Sequence, residues 1–155
     1  KEGRMKKIIK SIFYLFFPSL IGGIVAFLIK NHIDYSKLIK PILAPPKTIF
    51  PIAWTLIYFF MGVSYYLYKR KENEFSKTDA LYYTQLCVNA LWSILFFLWK
   101  ARFIAILWII LLDSLIIILI YFFLKKQKIS AYLNIPYLLW CLFATYLTIG
   151  IYLLN

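Results

Sequence analysis

The chain is short of nearly everything that does covalent chemistry at neutral pH. It has one histidine, two cysteines and six acidic residues, against eighteen lysines and arginines in 155 residues. No Ser/His/Asp set, H-E-x-x-H pair, phosphate-cradling glycine loop or zinc-spaced cysteine cluster is present. Ordinary hydrolase, P-loop and metalloenzyme chemistry is therefore not expected, and neither a cofactor nor a metal is called for. His32 lies at the mouth of a loop, where a lone imidazole reads as solvated. Cys87 and Cys141 lie deep in apolar blocks and read as small hydrophobes, not as a disulfide framework.

What the chain has is apolar length. Hydrophobic residues make up 63% of it and charged residues 15%, whereas average soluble domains carry about 45–50% apolar residues. The apolar residues fall in blocks at about Ile8–Ile29, Phe50–Tyr68, Leu81–Trp99, Phe103–Leu124 and Ala131–Leu154, and about 20 such residues cross a bilayer as helix. The first block has neither the short core nor the cleavage site of a signal peptide, so it reads as a retained span. The expected fold is an all-α integral membrane protein, a single five-transmembrane-helix bundle over residues 1–155. Residues 1–4, ahead of Met5, read as the remnant of an expression tag.

The net charge of +12 sits at the ends of the blocks, not along a face between them. That placement argues against nucleic acid and for the lipid bilayer as the chain's surroundings. Twelve of the cations (Lys1, Arg4, Lys6, Lys7, Lys10, Lys69, Arg70, Lys71, Lys77, Lys125, Lys126 and Lys128) fall on the N-terminal side. The other six (Lys30, Lys37, Lys40, Lys47, Lys100 and Arg102) fall opposite. The excess puts the N-terminus in the cytoplasm, and discounting the first four residues does not change its sign. The inner membrane of a bacterium is the expected location.

The chain is organised around Pro45–Gly62. The Pro45-Pro46 pair holds an irregular loop, since proline lacks an amide proton and pushes its predecessor out of the helical region. A helix then starts near Phe50 and Pro51, and Trp54, Tyr58 and Met61 share a face at steps of four and three. In the third block Gln85, Asn89, Trp92 and Phe96 share a face as well. Asn89 is costly against lipid and should point inward, either as an interhelical hydrogen bond or as a ligand contact. In the first block Pro18 is placed to kink the helix, and Ser19, Gly22, Gly23 and Ala26 form a small-residue strip for close helix contact. Asp113, alone at mid-membrane in the fourth block, marks function by default.

These segments resemble the TspO family, also known as translocator protein, tryptophan-rich sensory protein or peripheral benzodiazepine receptor. Pro45, Pro46, Trp54, Tyr58, Met61 and Gly62 match its second-helix motif, and Tyr35, Lys40 and Pro41 match its first loop. Gln85-Leu86, Asn89, Trp92 and Phe96-Phe97 match its third helix; Pro136-Tyr137, Trp140, Phe143-Ala144-Thr145 and Leu147 match its fifth. The family's fourth helix often has an acidic residue eight positions after the basic residue of the preceding turn; if Lys100 is that basic residue, the position holds Trp108. Leu43 and Thr48 replace two frequent tryptophans, and the tail Leu147–Ile151 lacks the tyrosine and following cation of the proposed sterol motif.

The resemblance implies a homodimer and an aromatic pocket for porphyrin or other flat hydrophobic small molecules, under a lid formed by the first loop. The implied ligand-binding residues are Tyr35, Pro45, Pro46, Trp54, Tyr58, Asn89, Trp92, Phe96, Trp108, Trp140 and Ala144. Three functions stay open. One is a receptor or sensor for protoporphyrin and for isoquinoline- or benzodiazepine-type ligands, with or without their transport. The second is a light-dependent porphyrin-degrading enzyme acting through Trp54 and Trp140, and the third is a small proton-coupled transporter using Asp113. The charge count makes a direct prediction. A cysteine placed near Lys37 will react with an impermeant external reagent and one placed in the Lys69–Lys77 link will be shielded; the reverse pattern inverts the topology.

Overall fold

The computed structural model describes residues 1–155 as helices and short connections, with no strand. α1 spans Glu2–Ile29 and continues unbroken through Pro18; α2 spans Ile49–Lys71. α3 spans Lys77–Ser93 and runs on through one widened π turn, Ile94–Leu98; α4 spans Arg102–Lys126. The last block divides into α5, Lys128–Leu133, and α6, Ile135–Leu154. Counting α5 and α6 together, five stretches are long and apolar enough to cross a membrane. The chain is an integral multi-pass membrane protein.

The helix ends follow local chemistry. α2 and α4 carry Lys69–Lys71 and Lys125–Lys126 in their last turns, where cations favour the negative end of the helix dipole. α3 begins four residues before the expected Leu81. Ser76 and Asp79 form a capping box there, with the Ser76 amide donating to Asp79 Oδ2 at 2.8 Å, which satisfies donors that would otherwise be orphaned.

The fifth block differs more from the single helix expected from Ala131. It starts at Lys128 and breaks at Asn134, just before Pro136, which has no amide to continue the ladder. Side chains clasp the break to α2. Asn134 Nδ2 donates to Ser64 Oγ at 2.6 Å and to the Ser130 carbonyl at 2.8 Å, and Ser130 Oγ donates to the Ser64 carbonyl at 2.6 Å.

α1 packs on α2, α2 on α5, α6 on α4, α4 on α3 and α3 back on α1, so the spans close a ring. Its interior holds Met61, Tyr65, Leu86, Ile109, Leu112, Ile116, Tyr137 and Cys141, while Ile8, Phe16, Phe27, Ile104, Leu107 and Ile118 face outward. An apolar exterior around hydrogen-bonded helices is what hydrocarbon surroundings select. α1 and α2 approach most closely at Gly62, where a Cβ would overlap the backbone carbonyl of Leu15. Gly62→Ala will therefore destabilise the bundle by about 1–3 kcal/mol, the usual cost of overpacking. Thermal unfolding in detergent will show it, whereas Gly23→Ala, with nothing within 4 Å of its added methyl, will not.

Candidate functional site

A cavity of about 340 Å³ lies between α1, α2, α3 and α6, at the end of the ring nearest the loop 30–48. It exists because neighbouring walls differ in side-chain size. α1 contributes Ser19, Gly22, Gly23 and Ala26, while α2 contributes Phe50, Trp54 and Tyr58. The small strip, expected to be a helix-contact surface, lines this space instead. Of its two glycines Gly22 is in close contact, since a Cβ there would overlap the Tyr58 ring, whereas Gly23 has nothing within 4 Å of an added Cβ.

Aromatic side chains form a continuous wall. Tyr35 meets Phe50 edge-on at 5.0 Å between centroids, and Phe50 meets Trp140 at 5.7 Å. Trp140 stands perpendicular to Trp54 at 6.3 Å, and Trp54 stacks on Tyr58 at 5.5 Å. Across the cavity Trp92 stacks on Phe96 at 5.4 Å. The π turn lets the consecutive residues Phe96 and Phe97 both reach the lining; a widened turn of this kind is frequent at functional sites. Ala144, on the same wall as Trp140, keeps that side shallow.

The loop closing the mouth is tied at several points. Tyr35 donates its phenol hydrogen to the Pro45 carbonyl at 2.6 Å, and Lys40 Nζ donates to the carbonyls of Tyr35 and Leu38 at 3.1 Å each. Burial raises the Tyr35 phenol above the ordinary value of 10.0, so it remains a neutral donor across physiological pH. Asp34 accepts from Arg102 at 2.6 Å, anchoring the loop's start to α4. Asn155 brackets Ile39, its Oδ1 accepting from the amide at 3.1 Å and its Nδ2 donating to the carbonyl at 2.8 Å. The Pro41 ring rests on Gly150 so closely that a Cβ would collide with it.

Of the residues singled out from the sequence, Tyr35, Trp54, Tyr58, Trp92, Phe96, Trp140 and Ala144 come together around the cavity. Pro45 and Pro46 lie behind Tyr35 in the loop and do not line it. Asn89 lies beneath its floor, 2% exposed, accepting from Tyr58 Oη at 2.5 Å and donating to Tyr137 Oη at 2.8 Å. Trp108 is absent from the lining because α4 stands on the far side of the ring; its indole donates to the Val88 carbonyl at 2.8 Å. Asp113, also on α4, accepts from Thr145 Oγ1 at 2.6 Å and is likewise away from the cavity. Phe50, Thr55, Ser93 and Thr148 line the cavity without having been singled out. Phe50 alone left a signal, standing one turn before Trp54.

No carboxylate, imidazole or thiol reaches the wall, and Lys47 is its one cation. Such a surface can bury a flat apolar molecule and orient it by a few polar contacts. It offers no acid–base pair.

Known proteins resemble the chain over most of its length. The TspO/MBR family matches residues 14–154. The chain is 43% identical over 124 residues to the tryptophan-rich protein TspO of Archaeoglobus fulgidus, covering 78% of this chain and 79% of that one. It is 30% identical over 118 residues to the tryptophan-rich sensory protein of Cereibacter sphaeroides, covering 76% and 74%. With translocator protein 2 of Canis lupus familiaris it shares 32% identity over 130 residues, covering 77% and 74%.

The position of Asn89 generates a prediction. Asn89→Leu leaves the hydroxyls of Tyr58 and Tyr137 short of a partner, at about 1–3 kcal/mol for unsatisfied buried groups. Thermal stability in detergent will fall accordingly. Affinity for a carbonyl-bearing isoquinoline will fall no more than affinity for an apolar analogue of the same size. A selective loss for the carbonyl ligand would place Asn89 in direct contact with it.

Proposed function

The chain belongs to the TspO/MBR family, and from that premise we propose that it is a membrane receptor or sensor for flat hydrophobic ligands. Porphyrins, protoporphyrin IX in particular, and isoquinoline- or benzodiazepine-type compounds are the ligand classes. The observation that carries this reading is the pair Trp54 and Trp140, two indoles from α2 and α6 meeting at 90° on the cavity wall. Each presents a π face or edge to whatever fills the space, with no fixed anion nearby to repel a carboxylate-bearing ring. Transport of the ligand accords with the name translocator carried by a relative. The functional unit is a homodimer in the inner membrane of a bacterium with its N-terminus in the cytoplasm, the orientation being supported by the cation excess at that end.

A second reading, light-driven breakdown of the bound porphyrin, draws on the same contact, since both oxidisable indoles face the ligand space. Proton-coupled transport through Asp113 draws no such support, because that carboxyl lies between α4 and α6, away from the cavity.

Protoporphyrin titrated into detergent-solubilised protein will quench tryptophan fluorescence saturably. Trp54→Phe and Trp140→Phe will keep most of the affinity, whereas each Trp→Ala change will cost about 0.5–1.5 kcal/mol, the worth of an aromatic pair. Unchanged affinity in both alanine variants would remove the ligand from this cavity. Under illumination, pigment loss no faster than in empty detergent would eliminate the degradative reading.

A further inference from the structure

The aromatic face of α2 does not end at the cavity floor. Trp54, Tyr58, Met61, Tyr65 and Tyr68 follow at steps of four, three, four and three, so all five lie on one side of the helix. Trp54 is at the cavity wall, and the other four are buried along the axis of the ring. Oxidisable side chains are thus in succession over nearly the whole span. Trp54 stacks on Tyr58 at 5.5 Å. Met61 follows, its thioether accepting from Gln85 Nε2 at 3.6 Å. Tyr65 stacks on Tyr82 of α3 at 4.0 Å with the rings 2° from parallel.

The hydroxyls of this row and of the tyrosines around it differ in one respect. Tyr58 donates to the Asn89 amide, Tyr137 donates to the Gln85 amide at 2.7 Å, and Tyr68 pairs with the Ser76 hydroxyl. Tyr82 has no partner. Tyr65 alone donates to a carboxylate, Asp79 Oδ1, at 2.6 Å. Asp79 is fully buried and is held by Lys69 Nζ at 3.0 Å and by the Ser76 amide. A phenol that loses an electron must also lose its proton. Amides and hydroxyls are poor acceptors for it, whereas a carboxylate within hydrogen-bond distance takes it readily.

We propose that this row is an electron-transfer path joining the cavity to Tyr65 and Asp79 at the opposite end of the bundle. The path rests on the reading of the cavity as the seat of a light-absorbing macrocycle. The photoexcited macrocycle takes one electron from the Trp54 indole and becomes its radical anion, which passes the electron to dioxygen. The indole radical cation is refilled through Tyr58 and Met61 by an electron from Tyr65. Tyr65 simultaneously gives its phenol proton to Asp79 Oδ1. The products are a neutral Tyr65 phenoxyl radical, a protonated Asp79, an intact Trp54 and superoxide. The O–H bond of Tyr65 is the bond broken, and that of the Asp79 carboxyl is the bond formed. The row moves the oxidising equivalent away from the indoles that hold the ligand.

Electron paramagnetic resonance tests it. All samples carry Trp99→Phe, which removes an exposed indole outside the row. Protoporphyrin-loaded protein is illuminated in air-saturated detergent and frozen. A tyrosyl radical is expected in the parent protein. Tyr65→Phe, which keeps the ring stack on Tyr82, should abolish that signal and leave a tryptophan radical. Asp79→Asn, which removes the proton acceptor but keeps Tyr65, should suppress the tyrosyl signal as well. An unchanged tyrosyl signal in Tyr65→Phe, or a tryptophan radical alone in the parent, overturns the path. If protoporphyrin does not quench fluorescence, the reading of the cavity fails separately, and the path is then tested with azidyl radicals from pulse radiolysis, which oxidise indoles directly. Conversion of the tryptophan radical to tyrosyl in the parent and its persistence in Tyr65→Phe supports the path; the same decay in both refutes it.

Discussion

One amide sets the geometry of everything around the cavity. Asn89 accepts a hydrogen bond from Tyr58 of α2 and donates one to Tyr137 of α6, while standing on α3 itself. Three of the four helices that enclose the cavity are thereby fixed to a single side chain just below it. In hydrocarbon there is no water to take over a broken contact, so each of these groups must find its partner inside the protein. The network continues from Tyr137 to Gln85 and from Gln85 to Met61. The floor of the cavity is thus polar in chemistry and rigid in position, while the walls above it are aromatic and carry almost no hydrogen bonds of their own.

Much of this was legible in the sequence because membranes simplify the code. Block length alone located five spans, and the repeat of aromatic residues at steps of three and four located the faces that meet. Trp54, Tyr58, Trp92, Phe96 and Trp140 could be placed on inward faces in that way, as could Tyr35 through the match of its loop to a family pattern. Spacing gives the side of a helix but not its neighbour. Trp108 lies on a face as inward as the others, yet α4 is the one stave of the ring that misses the cavity. Asn89 was legible as an inward polar residue, but whether it met ligand or helix depended on the reach of Tyr58 and Tyr137 from two other helices.

Two further features left no adequate trace. The strip Ser19, Gly22, Gly23 and Ala26 has the signature of tight helix packing, and the chain does use close approach between α1 and α2, but at Gly62 instead. One turn further along, the Tyr58 ring reaches Gly22, while Ser19, Gly23 and Ala26 are left lining the cavity. The break at Asn134 was hidden because Pro136 is equally at home at a helix start and in a kink. Ser64 and Ser130 decide the matter, and they lie 66 residues apart.

The ring order has a consequence for biosynthesis. α1 with α2 and α3 with α4 are neighbours both in sequence and in space, so each pair can form as it leaves the ribosome. The last span is different, because α5 must return to α2 and α6 to α4 before the circle closes. Until then Trp54 has no Trp140 beside it, and Asn89 has no Tyr137 to meet. The cavity is therefore completed only with the final insertion event, and a chain holding four of its five spans is still without the α6 wall.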